Sequence, residues 1–154
     1  MRLLIEARDV FLGYKHMYLL KDIDNTNGNA GTEYVLQGGV VGGSTAPFVG
    51  DLEVNINRAR TSSNNFPLLL EDSMDARDDQ GRNPALAAGS QRNISLQAGI
   101  QLEAAWGIMT QFSQSIRDAG LDYELPFTST LANNSNAVVA SLLYTIGINV
   151  QSWI

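Results

Sequence analysis

The hydrophobic period of this chain changes once along its length, and that change limits the folds open to it. In "GDLEVNINRAR", Leu52, Val54 and Ile56 alternate with Glu53, Asn55 and Asn57. A step of two is the pattern of a strand with one wet face. From Ser95 to Ala119 the step becomes three or four. Leu102, Ala105, Trp106, Met109, Phe112 and Ile116 recur on one side of a helical wheel, with Gln101, Glu103, Gln111, Gln114 and Arg117 elsewhere. This predicts an amphipathic helix stopped at Gly120. Strands come first and helices second, so the expected class is α+β: a small antiparallel sheet from the N-terminal half packed on two C-terminal helices.

The remaining elements follow from the same logic. "HMYLLKDID" and "TEYVLQGGVV" are rich in Leu, Val and Tyr, and "NTNGNAG" separates them. Asn and Gly adopt positive φ at low cost, so the two runs read as a hairpin with a long loop. "GGVVGGSTAP" reads as a loop or bulge. Residues 60–95 show little periodicity, and the acidic "EDSMDARDDQGRNP" reads as a surface excursion. "LDYELPFTST" is expected to be extended, because Pro126 forbids a helix there. A second helix begins near Ser135, buries Val138, Val139, Leu142, Leu143 and Ile146, and ends at Gly147. "INVQSWI" follows as a strand or short tail. The length of 154 residues predicts a single domain, 1–154.

Composition removes several functions. The net charge is −6 and the ten basic residues are scattered singly, so the clustered cations that phosphate binding demands are missing and no nucleic-acid partner is expected. The chain has no cysteine, which removes disulfides, zinc–thiolate sites and thiol nucleophiles together. No apolar run approaches the roughly 20 residues of a membrane span. Charges at Arg2, Glu6, Arg8 and Asp9 interrupt the N-terminal segment, so no signal peptide is expected, and the protein would be cytoplasmic or exported by a leaderless route. No cofactor is implied.

Few residues remain that carry chemistry. His16 is the only histidine, so any imidazole mechanism depends on it. On a strand it shares a face with Tyr18 and Leu20, while Met17 and Leu19 share the other. Ser135, between Asn134 and Asn136, stands where a polar loop enters an apolar helix. The simple role for such a serine is a helix N-cap. The sharper role uses the same place: first-turn N–H groups and the helix dipole favour an alkoxide or oxyanion there. Serine at its ordinary pKa needs an adjacent base, and His16 is the imidazole on offer.

Other motifs weigh less. The acidic run Glu71, Asp72, Asp75, Asp78 and Asp79 offers paired carboxylates or a hard-cation site, and nothing apolar frames it. "DIDNTNG" has its glycine one position late for a calcium loop, and "GGVVGG" lacks the spacing and lysine of a phosphate loop. No metal site is assigned. Trp106, Phe112 and Tyr144 read as core residues rather than a ligand box.

An early "H-M-Y-L-L" strand, a following "E-Y-V-L-Q-G-G" strand and a late "N-S-N" helix start make one arrangement. It resembles the circularly permuted papain-like superfamily, with the NlpC-type peptidases and lecithin–retinol acyltransferase as relatives. The resemblance implies that His16 is the catalytic histidine and Ser135 holds the nucleophile position, where members ordinarily carry cysteine. It implies a third, polar residue on the second strand, for which Glu33 and Gln37 both stay open. Asn134 and Asn136 are candidates for an oxyanion amide or for capping. The function implied is an acyl-transfer hydrolase, an amidase, peptidase or esterase. Its substrate would be a small-molecule, peptide or lipid acyl compound in a bacterial or phage setting. The alternative is a non-catalytic binding or structural module of the same fold in which Ser135 only caps the helix.

Overall fold

The computed structural model describes residues 1–9, 15–24, 33–40, 52–59, 91–122 and 134–150. Among these residues, five strands form one antiparallel sheet: β1 (Arg2–Asp9), β2 (Lys15–Asp22), β3 (Glu33–Val40), β4 (Leu52–Ala59) and β5 (Gln91–Ile94), in the order β4-β3-β2-β1-β5. Also among them, the helices α1 (Leu102–Asp118) and α2 (Ser135–Thr145) pack on it. The architecture is α+β: four strands of the sheet come from the N-terminal half, and the short β5 and both described helices come from the C-terminal half.

Two strands are additions to the sequence pattern. β1 is apolar without alternation because both of its faces are covered. Leu3 and Ile5 join the cluster under the helices, whereas Leu4 joins Tyr18, Leu20 and Val35 on the other face. A strand buried on both sides loses its period of two. β5 is only four residues, of which Ile94 enters the core, too short a run to register as a pattern. It pairs with β1, Leu3 opposite Ile94. The stretch expected to be helical from Ser95 begins its helix at Leu102 instead.

Within β4 the expected alternation holds for Leu52 and Val54, both in the helix-side cluster. Beyond Val54 the β3–β4 register shifts at a bulge. Gln37 pairs with Asn55 and Val35 with Arg58, so Leu36 stands opposite both Ile56 and Asn57. A bulge of this kind bends a strand and increases its twist. β2 and β3 pair only over Leu19–Asp22 and Glu33–Leu36. Beyond that point they part, β2 continuing beside β1 and β3 beside β4. The result is a fork in the sheet.

The helices close the helix-side face. α1 buries Ala105, Trp106, Met109 and Ser113. Its ends are tied to the sheet: Lys21 Nζ donates to Glu103 at 3.1 and 3.3 Å, and Arg117 donates to the Val54 carbonyl at 2.7 Å. Lys21 also lies 5.0 Å from the Tyr34 ring and 5.5 Å from the Trp106 ring. Its buried stem and cation therefore meet aromatic faces on one side and a carboxylate on the other. α2 buries Val138, Val139, Leu142 and Leu143 against the sheet and α1, as expected. It stops at Gly147, whose φ of 79° suits a residue without Cβ, and the Ile148 N–H bonds back to the Leu143 carbonyl.

Phe112 and Tyr144 depart from the core expectation. Phe112 is 38% and Tyr144 75% exposed, and both flank an open groove that Ala140, Thr145 and Ile148 also line. Trp106 alone of the three aromatics is core. The helical step that Phe112 was expected to fill inward is taken by its neighbour Ser113, which is fully buried. Among the described residues the Ser113 hydroxyl has no hydrogen-bond partner. Leaving a buried hydroxyl unsatisfied costs about 1–3 kcal/mol, and alanine is the better helix former. Ser113→Ala is therefore expected to raise stability by about 1 kcal/mol, measured as a higher urea midpoint at unchanged slope. A drop in the midpoint would mean that the hydroxyl is engaged.

Candidate functional site

The start of α2 is built by three consecutive polar residues with different tasks. Asn134 has an extended backbone (φ −143°, ψ −179°), and its side-chain oxygen accepts from the N–H groups of Asn136 at 3.0 Å and Ala137 at 3.2 Å. The N-cap is thus Asn134, which corrects the assignment of that role to Ser135. The reason is geometric. A cap residue must still be extended so that its side chain can reach back over the first turn, and Ser135 is already helical. Ser135 is free of the capping task and is the first residue of the helix.

Its hydroxyl lies instead near Asn136 Oδ1, at 3.4 Å. The same Oδ1 accepts the backbone N–H of Met17 at 3.0 Å. Asn136 therefore enters the fork between β2 and β3 and meets β2 at the amide that directly follows His16. On the other arm of the fork, Gly38 faces α2 so closely that a Cβ there would stand 2.8 Å from Val138 Cγ2 and 3.3 Å from Ser135 Cα. A glycine inside a strand commonly marks such a close approach. Ser135 is consequently buried, at 4% exposure, between helix and sheet.

The first turn of α2 is mostly committed. The N–H groups of Asn136 and Ala137 go to Asn134 Oδ1, and that of Val138 goes to the Asn134 carbonyl. Of the donors expected to serve as an oxyanion hole, the Ser135 N–H is the one that neither the cap nor the helix ladder takes.

For His16 the structure gives the position in β2: opposite Arg8 of β1, in a ladder that runs unbroken to Asp9 and Lys15. Met17 and Leu19 lie in the helix-side cluster, and Tyr18 and Leu20 in the other. The two candidates for a third residue are now separated. Glu33 pairs with Asp22, six residues along β2 from His16, which at strand rise is roughly 20 Å. Gln37 precedes Gly38 in β3, shares the parity of Val35 on the sheet face away from α2, and is fully buried. The acidic run at residues 71–79 lies outside the described residues.

Polar groups on the far face of the sheet were not anticipated from sequence. Tyr18 Oη donates to Glu6 at 2.6 Å, both buried, and Arg2 pairs with Asp22 at 2.7 Å. The β1–β2 register sets Glu6 opposite Tyr18, two positions along the ladder from the Arg8–His16 pair. Only the charge pattern of β1, with Arg2, Glu6 and Arg8 at even positions, hinted at it.

No family model matches the chain, and no curated protein or solved structure is found to be similar to it. What the site does must therefore be argued from its own geometry. Among the described residues no helix is long and apolar enough to cross a membrane.

Proposed function

We propose that the protein is an acyl-transfer hydrolase, an amidase, peptidase or esterase, in which Ser135 is the nucleophile and His16 the general base. The observation that carries the proposal is the shared acceptor. The Ser135 hydroxyl and the amide following His16 both meet Asn136 Oδ1, at 3.4 and 3.0 Å, so nucleophile and base belong to segments in direct contact. In the proposed reaction His16 takes the Ser135 proton as Oγ attacks the acyl carbon. The oxyanion forms against the Ser135 N–H, at the positive end of α2. His16 then protonates the leaving amine or alcohol, and water releases the acyl group by the same route. The 3.4 Å contact from Ser135 to Asn136 is long for an O–H donor, so the hydroxyl exchanges it readily for an imidazole. The permuted papain-like resemblance supports this assignment, with serine in the cysteine position and Gln37 as the better-placed third residue.

A second reading, a non-catalytic module of the same fold, is favoured by two observations. Ser135 is buried, and Tyr18 and Leu20, which share the parity of residue 16, belong to the sheet face away from α2. A fluorophosphonate probe read by intact mass distinguishes the two. The hydrolase is expected to gain one adduct on the wild type and none on Ser135→Ala or His16→Ala, with circular dichroism unchanged. An unlabelled wild type sinks the hydrolase and leaves the binding module. Labelling that survives in both variants points to a different nucleophile.

A further inference from the structure

We infer that Asn136 is a positioning residue, a clip that fixes the start of α2 to β2 beside His16 and so holds Ser135, its neighbour in the chain, in place. The catalytic half of this inference rests on the hydrolase proposal; the mechanical half does not.

The chemistry of the contact identifies which end of the amide is used. A backbone N–H can only donate, so the group facing Met17 at 3.0 Å must be the side-chain oxygen and not the NH₂. That oxygen has two lone pairs. One is taken by the Met17 N–H and the other faces the Ser135 hydroxyl. An oxyanion hole needs a donor, and the part of Asn136 that enters the fork is an acceptor. Asn136 therefore does not stabilise an oxyanion through this contact; it holds the Met17 amide and, with it, the start of α2.

The fold explains why a clip is needed here. β2 and β3 cease to pair beyond Leu19 and Leu36. The Met17 amide, inside the fork, is thereby left without a strand partner on that side, and a buried amide must be paired. Asn136 satisfies it from a helix 119 residues away in sequence. One bond thus serves the strand's hydrogen-bonding demand and registers α2 against the residue after His16. A side chain lacking the oxygen would lose both, and one that moved the oxygen by a methylene would spoil the register.

The test combines a backbone and a chemical measurement on Asn136→Ala, Asn136→Asp and Asn136→Gln. Aspartate keeps an acceptor oxygen at the same reach, whereas glutamine keeps the amide and displaces it. Amide hydrogen exchange at Met17 is expected to be slow in the wild type and in Asn136→Asp. In Asn136→Ala it should be about tenfold faster, the factor for one ordinary hydrogen bond, with Met109 in α1 as the control amide. Met17 exchanging equally fast in wild type and Asn136→Ala overturns the clip. Probe labelling of Ser135 should slow about tenfold or more in Asn136→Ala and Asn136→Gln, shift its pH midpoint, and recover in Asn136→Asp. Wild-type labelling kinetics in a folded Asn136→Ala or Asn136→Gln overturn the positioning role. A wild type that takes no label removes the hydrolase proposal and the catalytic half with it, while Met17 exchange still decides the clip.

Discussion

Gly38→Val is expected to destabilise the protein by about 3 kcal/mol, at the upper end of the range for overpacking a filled interior. The added Cβ alone would stand 2.8 Å from Val138 Cγ2 and 3.3 Å from Ser135 Cα, and the second of these is backbone that cannot rotate away. The two methyl groups beyond it have nowhere to go unless α2 lifts off β3. Gly38→Ala should show the same effect in smaller measure. Val138→Ala removes the nearest obstructing atom, and on its own costs about 2 kcal/mol from lost burial and the cavity left behind. The double variant Gly38→Ala, Val138→Ala should then be less destabilised than the sum of the single variants, a non-additivity expected only for residues in contact. Urea unfolding of the four proteins measures it. A Gly38→Val protein as stable as the wild type would mean that α2 does not sit on β3 in the way described.

Leu142→Ala carries the other large effect. Leu142 is completely buried where α2 meets the sheet and α1, and truncating such a leucine costs about 2–5 kcal/mol. Against a total stability of roughly 5–15 kcal/mol for an ordinary domain this is a major fraction. The melting temperature should fall by about 10 °C, given a few degrees per kcal/mol at this chain length. Tyr144→Ala, two residues on, gives the contrast. That side chain is 75% exposed, and its removal should change stability by no more than about 0.5 kcal/mol. Calorimetry that found the two substitutions equivalent would contradict the orientation of α2.

These effects show which parts of the molecule local patterns encode. α2 was legible because Val138, Val139, Leu142 and Leu143 are apolar at helical spacing and Gly147 stops them. α1 was legible except at its start, Leu102 rather than Ser95, and at Phe112 and Ser113, where the core takes the smaller, polar neighbour and the aromatic ring is exposed. β1 escaped because Leu3, Leu4 and Ile5 are all buried, so the strand carries no alternation. At the site, Ser135, Asn134 and Asn136 were identifiable as a group, since a polar triplet before an apolar run announces a helix start. Which of them caps depends on backbone dihedrals, and no composition rule contains those. The bond from Asn136 to Met17 was beyond any window, because its two ends lie 119 residues apart and meet only through the fork in the sheet. Gly38 did leave a trace. A glycine inside "EYVLQGGVV" is a poor strand former, and its presence is best explained by another backbone coming close.

The fork has a consequence for how the molecule reaches its final state. β1 with β2 and β3 with β4 are neighbours in sequence, so each can zip up early from short loops. The wedge between them comes from Asn136, 119 positions after Met17, and its ordering must wait for that long loop to close. The sheet's earlier strands are therefore expected to form the folding nucleus, with α2 docking late. In kinetic experiments, substitutions at Leu19 or Leu4 should slow folding, whereas those at Val138 or Asn136 should chiefly speed unfolding. The proposed chemistry, on this account, switches on only in the last step of folding.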